Sequence, residues 1–179
     1  DLGCGTGNIT SEVKKRYPQA RVTCVDLAEN MIEISQYKLA RYDDIEYQVA
    51  DLRDFQYGED NYDLIISSLA MHHLRTDEEK IAIYQRIYNA LTEGGVFLNA
   101  DQVLTSSEHL EKVNHEQWKA FMLKTLPLDE VEEKWVPTAY NEDHPAPLVD
   151  HLDWLRDVGF KEVDVMWKYV KGAVFGGRK

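Results

Sequence analysis

The stretch DLGCGTGNIT, residues 1–10, decides how the rest of the chain is read. Gly3, Gly5 and Gly7 stand on alternate positions behind Asp1 and directly ahead of a helical pattern, in which Ile9, Val13 and Tyr17 form one stripe and Pro18 ends it. Glycines so placed let a strand turn sharply into a helix. They also let backbone N–H groups and a helix N-terminus come close to a ligand, where a Cβ would occupy the ligand's space. The spacing differs from the dinucleotide fingerprint Gly-x-Gly-x-x-Gly, because the third glycine comes one residue sooner and an acid comes first. A turn of this kind normally follows a buried strand, of which only Asp1 and Leu2 are at hand, so a truncated first strand is expected.

Downstream, strands and helices alternate. ARVTCVD (20–26) is a short β-branched run ending in an acid, and Leu27, Met31 and Ile34 open a second helical stripe. IEYQVAD (45–51) is a further strand, and YDLIISS (62–68) has the continuous apolar centre of a strand buried on both faces. Thr76 and Glu79 make a capping-box pattern for a helix carried by Ile81, Tyr84, Ile87, Tyr88 and Leu91 and ended by Gly94 and Gly95. VFLNAD (96–101) follows as a strand. Strict alternation with short connections implies right-handed βαβ units and a doubly wound, mostly parallel α/β sheet. Ligands of such sheets sit outside the carboxyl ends of the strands, where Asp1, Asp26, Asp51 and Asp101 are expected.

The last third changes character. Leu110, Val113, Trp118, Phe121 and Met122 mark a helix, whereas residues 125–147 hold four of the five prolines and read as an irregular excursion. Within it the acidic run DEVEEK (129–134) reads as a solvated helix face. Leu148, Leu152 and Leu155 give a helix ended by Gly159. VDVMW (163–167) and AVF (173–175) are too close together for a helical crossover and should form an antiparallel hairpin. The whole chain, 1–179, is read as one domain, with 104–147 as a segment covering the substrate.

With 179 residues, a formal charge of −12 and a pI near 4.9, the chain is poorly suited to a polyanionic partner, which needs clustered Lys and Arg. Nucleic acid is therefore disfavoured. Cys4 and Cys24 lack the companion spacing of a zinc site or a disulfide framework and suit free thiols in a reduced, cytoplasmic setting. No apolar run reaches the length of a membrane span.

Asp26 lies 19 residues past Gly7 at the end of the next strand, where a carboxylate can accept both hydroxyls of a ribose. The turn and this acid together specify a nucleoside-bearing ligand. At this point the sequence resembles the class I S-adenosylmethionine-dependent methyltransferases: DLGCGTG is similar to their first motif, VD (25–26) to the second, AD (50–51) to the third, and the terminal hairpin to their antiparallel last strand. SLAMHHL (68–74) resembles a segment of many small-molecule members. The resemblance implies a Rossmann-like methyltransferase fold with S-adenosylmethionine as cofactor. It implies that Gly3, Gly5 and Gly7 hold the methionine part with Asp1 near its amino group, and that Asp26 binds the ribose. Leu27 and Met31 would flank the adenine, Asp51 and Leu52 would meet its edge, and Ser67 and Leu69 would approach the methionyl chain.

His72 and His73, after the strand at 62–68, are candidates for taking a proton from an acceptor hydroxyl or amine. They are a poor metal pair by sequence, lacking helical i, i+4 spacing and a nearby acid, and no metal is expected. Trp118, with Phe121 and Met122, is a candidate wall of the acceptor pocket or a core stripe, Tyr140 a candidate lid residue, and Trp154 a core residue. The expected function is methyl transfer to a small-molecule acceptor. Alternatives are a non-catalytic module that binds the cofactor for regulation and, less favoured, a tRNA-modifying methyltransferase. An NAD-dependent oxidoreductase is disfavoured by the glycine spacing and the terminal hairpin. The sequence sets neither the acceptor nor the oligomeric state.

Overall fold

The computed structural model describes residues 1–137 and 142–179. In chain order the elements are α1 (Asn8–Arg16), β1 (Val22–Asp26), α2 (Glu29–Leu39), β2 (Ile45–Val49) and β3 (Tyr62–Ser68). A single 3₁₀ turn (Met71–His73) leads to α3 (Asp77–Ala90), β4 (Leu91–Gln102) and α4 (Glu108–Met122). Then come α5 (Leu128–Glu130), a wide helical turn (Val131–Trp135), α6 (Leu148–Val158), β5 (Lys161–Tyr169) and β6 (Gly172–Arg178).

β1 pairs with β2, and β3 with β4, in parallel; β6 lies antiparallel between β4 and β5. Leu2 joins the two parts of the sheet, bridging Val25 and Ser67 in parallel. The order is therefore β2–β1–Leu2–β3–β4–β6–β5, a mixed, mostly parallel, Rossmann-like sheet with the expected antiparallel hairpin at one edge. Tyr84, Ile87, Phe97, Leu155, Phe160 and Phe175 are buried in one core between α3, α6 and the sheet, and Cys4, Cys24 and Ile32 pack under α2. Both cysteines are free and buried. Trp154 packs against the main core, as its helical stripe suggests.

The capping box at α3 is present: the Glu79 amide donates to Thr76 Oγ1 at 3.2 Å and the Thr76 amide to Glu79 Oε2 at 3.4 Å. That helix ends at Ala90, before the glycines expected to stop it. Leu91 is fully buried and pairs with Tyr62, so burial in the sheet extends β4 backwards over Gly94 and Gly95. β3 also departs from expectation. Its buried face holds Ile65 and Ser67, whereas Leu64 is 39% exposed. A groove of about 1330 Å³ runs beside it, lined by Thr23, Val25, Leu64 and Ile66 among others. This cavity borders the amino-terminal parts of the strands. The excursion at 125–147 is less irregular than its prolines suggest. Pro127 and Pro147 sit directly before helical segments, where a fixed φ starts a helix, and the acidic run lies in the first of these with Val131 buried beneath.

No helix among the described residues is long and apolar enough to cross a membrane.

One core group makes stability pH-dependent. His151 is buried, Tyr84 Oη and His151 Nδ1 are 2.7 Å apart, and burial pushes the imidazole down to about 4. Because its folded value lies below the ordinary 6.5, the unfolded chain binds the extra proton first, and stability is lost as pH falls from about 6.5 towards 4, by up to about 3 kcal/mol from this group. His151→Gln is expected to remove that component, so the difference between wild-type and variant urea-unfolding free energies should shrink steadily from pH 7 to pH 5. A difference independent of pH would show that His151 does not titrate in this way.

Candidate functional site

The residues around the opening turn are held by their own backbone. Leu2 N–H donates to Ile66 O at 2.8 Å, Cys4 N–H to Val25 O at 2.9 Å, and Val25 N–H to Asp1 O at 3.0 Å, so the segment ahead of α1 is stitched to β1 on one side and β3 on the other. Gly3, Gly5 and Gly7 all have positive φ, at 67°, 51° and 73°. A Cβ on Gly3 would lie 2.3 Å from that of Ala70, and one on Gly7 2.4 Å from Ser35 Oγ. At Gly5 no atom lies within 4 Å of the Cβ position, so the turn presents bare backbone to open space. Two glycines are thus required by packing and backbone; the middle one leaves room in front of the turn.

Acids surround this opening. Asp1 Oδ2 accepts from the Thr10 hydroxyl at 2.6 Å and the Thr10 amide at 3.2 Å, which fixes its carboxylate over the first turn of α1. Asp26 accepts from the Gly5 amide at 2.7 Å through Oδ2 and from the Ala28 amide at 2.9 Å through Oδ1. These bonds hold the carboxylate against the turn and leave lone pairs for further donors. Leu27, next in sequence, is 69% exposed, and Met31 is half-buried. Asp51 is clamped by Arg53, whose Nη2 reaches Oδ2 at 2.6 Å and whose Nε reaches Oδ1 at 2.9 Å. That pairing holds the Asp51 carboxyl down to about 2. Leu52, half-buried, packs against the core beside it.

Beyond β3 the backbone is strained at Leu69, a non-glycine with φ 54° whose amide donates to Ala100 O at 2.9 Å. The chain then passes Ala70, in contact with Gly3, and enters the turn that carries both histidines. His72 is buried. Its Nδ1 lies 2.5 Å from Asp101 Oδ1, and its amide donates to Asp101 Oδ2 at 3.1 Å, so the carboxylate grips ring and backbone together. The other ring nitrogen, Nε2, lies 3.5 Å from Asp143 Oδ1, and His73 Nδ1 lies 3.7 Å from the same oxygen. Asp143 is held by Gln102 Nε2 at 2.9 Å, and the His144 amide donates to His72 O at 2.7 Å, which seats the far loop on this turn. Burial lowers the His72 imidazole and the Asp101 hydrogen bond raises it; with the added charges of Asp101 and Asp143 the net shift is upward. A cavity of about 500 Å³ opens beside Asp143, lined by Arg75, Lys80, Gln102, Leu104 and Lys171 among others.

Sequence spacing speaks against a metal pair because it finds no acid near His72 and His73. In the fold, Asp101 from β4 and Asp143 from the excursion lie beside these histidines. Asp101 had a signal, as an acid at a strand's carboxyl end; Asp143, Gln102 and Thr10 had none, because their roles depend on contacts between distant segments. Ser67 is buried, and its hydroxyl donates to Leu2 O at 3.0 Å. Leu69 is 61% exposed. Trp118 packs against Lys171, whose Nζ lies 4.9 Å from the ring centroid, at the rim of the 500 Å³ cavity. Met122 is buried, and Phe121 is exposed near Tyr169. Tyr140 lies outside the described residues.

Residues 1–95 match the family model described as a methyltransferase domain, and the chain belongs to that family. It is 24% identical to a carboxy-S-adenosyl-L-methionine synthase of Helicobacter hepaticus over 181 residues, covering all of this chain and 74% of that protein. It is 31% identical to a malonyl-[acyl-carrier protein] O-methyltransferase of Hahella chejuensis over 117 residues, 64% of this chain and 40% of that protein. Among solved structures, human N-acetylserotonin methyltransferase in complex with SAM superposes with a TM-score of 0.67 at 20% identity, over all of this chain and 46% of that one. An O-methyltransferase-like structure from Nostoc punctiforme superposes with a TM-score of 0.73 at 17% identity, over all of this chain and 50% of that one. The chain thus spans about half the length of these solved relatives.

The contact of Gly3 with Ala70 gives a direct test of how the turn is built. Gly3→Ala, with an overlapping Cβ and an unfavourable φ, is expected to cost about 3 kcal/mol, which lowers the melting temperature by roughly 6–12 °C. Adding Ala70→Gly should recover a large part of that loss. No recovery in the double variant would mean that Ala70 is not what confines the turn.

Proposed function

We propose that the chain binds S-adenosylmethionine at the Gly3–Gly7 turn and transfers its methyl group to a small-molecule acceptor on the His72 side of that turn. The observation that carries this reading is the joint placement of bare backbone at Gly5, the Asp26 carboxylate bonded to it, and exposed Leu27 immediately beyond. A ribose can use the remaining Asp26 lone pairs, an adenine can cover Leu27 and Met31, and Asp51 with Leu52 flanks its edge. Asp1 faces the cofactor's amino group. The acids at this edge also suit a ligand carrying a sulfonium and an ammonium. The relatives, a carboxy-S-adenosyl-L-methionine synthase and a malonyl-[acyl-carrier protein] O-methyltransferase, support this cofactor and a substrate that is not nucleic acid.

The sulfonium needs little activation, only an acceptor lone pair aligned behind its methyl group, so positioning supplies much of the rate. A hydroxyl acceptor must also lose its proton. His72 answers that need: Asp101 occupies Nδ1 and leaves Nε2 as a buried basic atom near the turn packed on Gly3. His73 borders the same point. On this side the His144 amide donates to His72 O and the Leu104 amide to Ala146 O, and Trp118 is the aromatic candidate among the described residues of this segment.

Calorimetric titration with S-adenosylhomocysteine and, separately, NAD tests the cofactor. We expect micromolar-range binding of the first, no heat from the second, and at least a tenfold loss in Asp26→Ala. Unchanged affinity in that variant would overturn the site, and NAD binding would overturn the cofactor. In an acceptor assay, His72→Ala should lower kcat by roughly 10²- to 10⁴-fold while S-adenosylhomocysteine binding stays unchanged; an unaltered kcat would remove His72 from the chemistry.

A further inference from the structure

We propose that His72 Nε2, His73 Nδ1 and an Asp143 oxygen form a site for a divalent transition-metal ion on the acceptor side, with coordination positions left open for the acceptor. The inference rests on the methyl-transfer reading for its purpose and on the geometry for its existence.

The three atoms lie within 4.8 Å of one another. Two of the separations, 3.5 Å from His72 Nε2 and 3.7 Å from His73 Nδ1 to Asp143 Oδ1, exceed hydrogen-bonding length and approach the spacing of ligands held on one ion at about 2.0–2.1 Å, which is roughly 3.4 Å. With Asp101 accepting from His72 Nδ1, Nε2 carries a lone pair, so the centre of the group is faced by a neutral imidazole nitrogen and a carboxylate oxygen, with the second imidazole alongside. Such a convergence of lone pairs is relieved by positive charge between them. Two imidazoles and one carboxylate suit Zn²⁺, Co²⁺ or Fe²⁺ better than Ca²⁺ or Mg²⁺.

The surroundings resemble the support of a ligand set. Asp101 fixes the tautomer and orientation of His72 through its ring and its amide. Gln102 Nε2 holds the second oxygen of Asp143 at 2.9 Å and so aims the first at the histidines. A carboxylate behind a ligating histidine and an amide behind a ligating carboxylate are the partners such sites need for rigidity. The 3₁₀ turn gives adjacent histidines different directions, with ring planes at 50° and centroids 4.1 Å apart, which lets one offer Nε2 and the other Nδ1.

Three protein ligands leave positions for substrate, as in catalytic sites. An acceptor hydroxyl bound there is acidified and releases its proton to solvent. Its oxygen then forms the bond to the methyl carbon as the carbon–sulfur bond breaks, and the electron pair of that bond returns to sulfur, leaving neutral S-adenosylhomocysteine. The ion's oxidation state does not change.

The test begins with chelator-treated protein, titrated with Zn²⁺ by calorimetry and with Co²⁺ by visible absorption, beside an S-adenosylhomocysteine titration of the same sample. One equivalent of Zn²⁺ should bind, and His72→Ala and Asp143→Asn should each weaken it at least tenfold, with His109→Ala as a surface control that changes nothing. Both site variants should still bind S-adenosylhomocysteine, which verifies that they fold. Zn²⁺ binding that is undetectable, or that is indifferent to both variants, would overturn the metal site. If S-adenosylhomocysteine still bound, the methyl-transfer reading would survive that result, with His72 acting as a base. Site-dependent Zn²⁺ binding by a protein that ignores S-adenosylhomocysteine would keep the metal site and overturn the cofactor assignment.

Discussion

The backbone pairing of residues 1–4 is the constraint on which the rest depends. Leu2 is the link between β1 and β3, and its hydrogen bonds span two parts of the sheet that otherwise face each other across a groove. Because a strand that ends in this position must turn at once into α1, the glycines fall at the carboxyl edge. The same pairing sets Asp26 within 2.7 Å of the Gly5 amide, since Cys4 and Val25 are already in register. The geometry of the glycine turn and Asp26 is therefore a consequence of sheet register, with few side chains left to adjust independently.

Close packing then ties that side to the histidines. Gly3 leaves no room for a side chain because Ala70 fills it, and Ala70 precedes the turn carrying His72 and His73. Leu69 absorbs the sharp change of direction in a left-handed conformation, at a cost of about 1–3 kcal/mol. Burial of Met71, and the double grip of Asp101 on His72, supply compensating order. A shift of the opening turn must disturb the histidines, and the reverse, because the contact between them has no slack.

Much of this was legible from local sequence, and the limit is physical. Alternate glycines, an acid at each strand end and alternating periodicities are local signals, and they placed Gly3, Gly5, Gly7, Asp26 and the alternating fold. Helix α3 was misjudged at its end because Gly94 and Gly95 are conventional stops, whereas tertiary burial of Leu91 decided the boundary. The excursion defeated local reading more completely, since its prolines mark helix starts at 127 and 147 as readily as turns. Asp143 belongs to that segment, and only its tertiary contacts give it a role.

Electrostatics connects the two halves of the candidate site. Asp1, Asp26 and Asp51 lie along one part of the carboxyl edge, and Asp101 with Asp143 along the next. Asp51 is neutralised by Arg53, and Asp26 and Asp1 are satisfied by backbone amides and by Thr10. Near the Asp101–Asp143 pair, buried Lys80 donates to Leu74 O at 2.7 Å rather than to these carboxylates. Two carboxylates around one imidazole can be balanced by a proton on that ring, which accounts for the upward shift of His72, or by a metal ion in front of it. The two solutions exclude one another at Nε2.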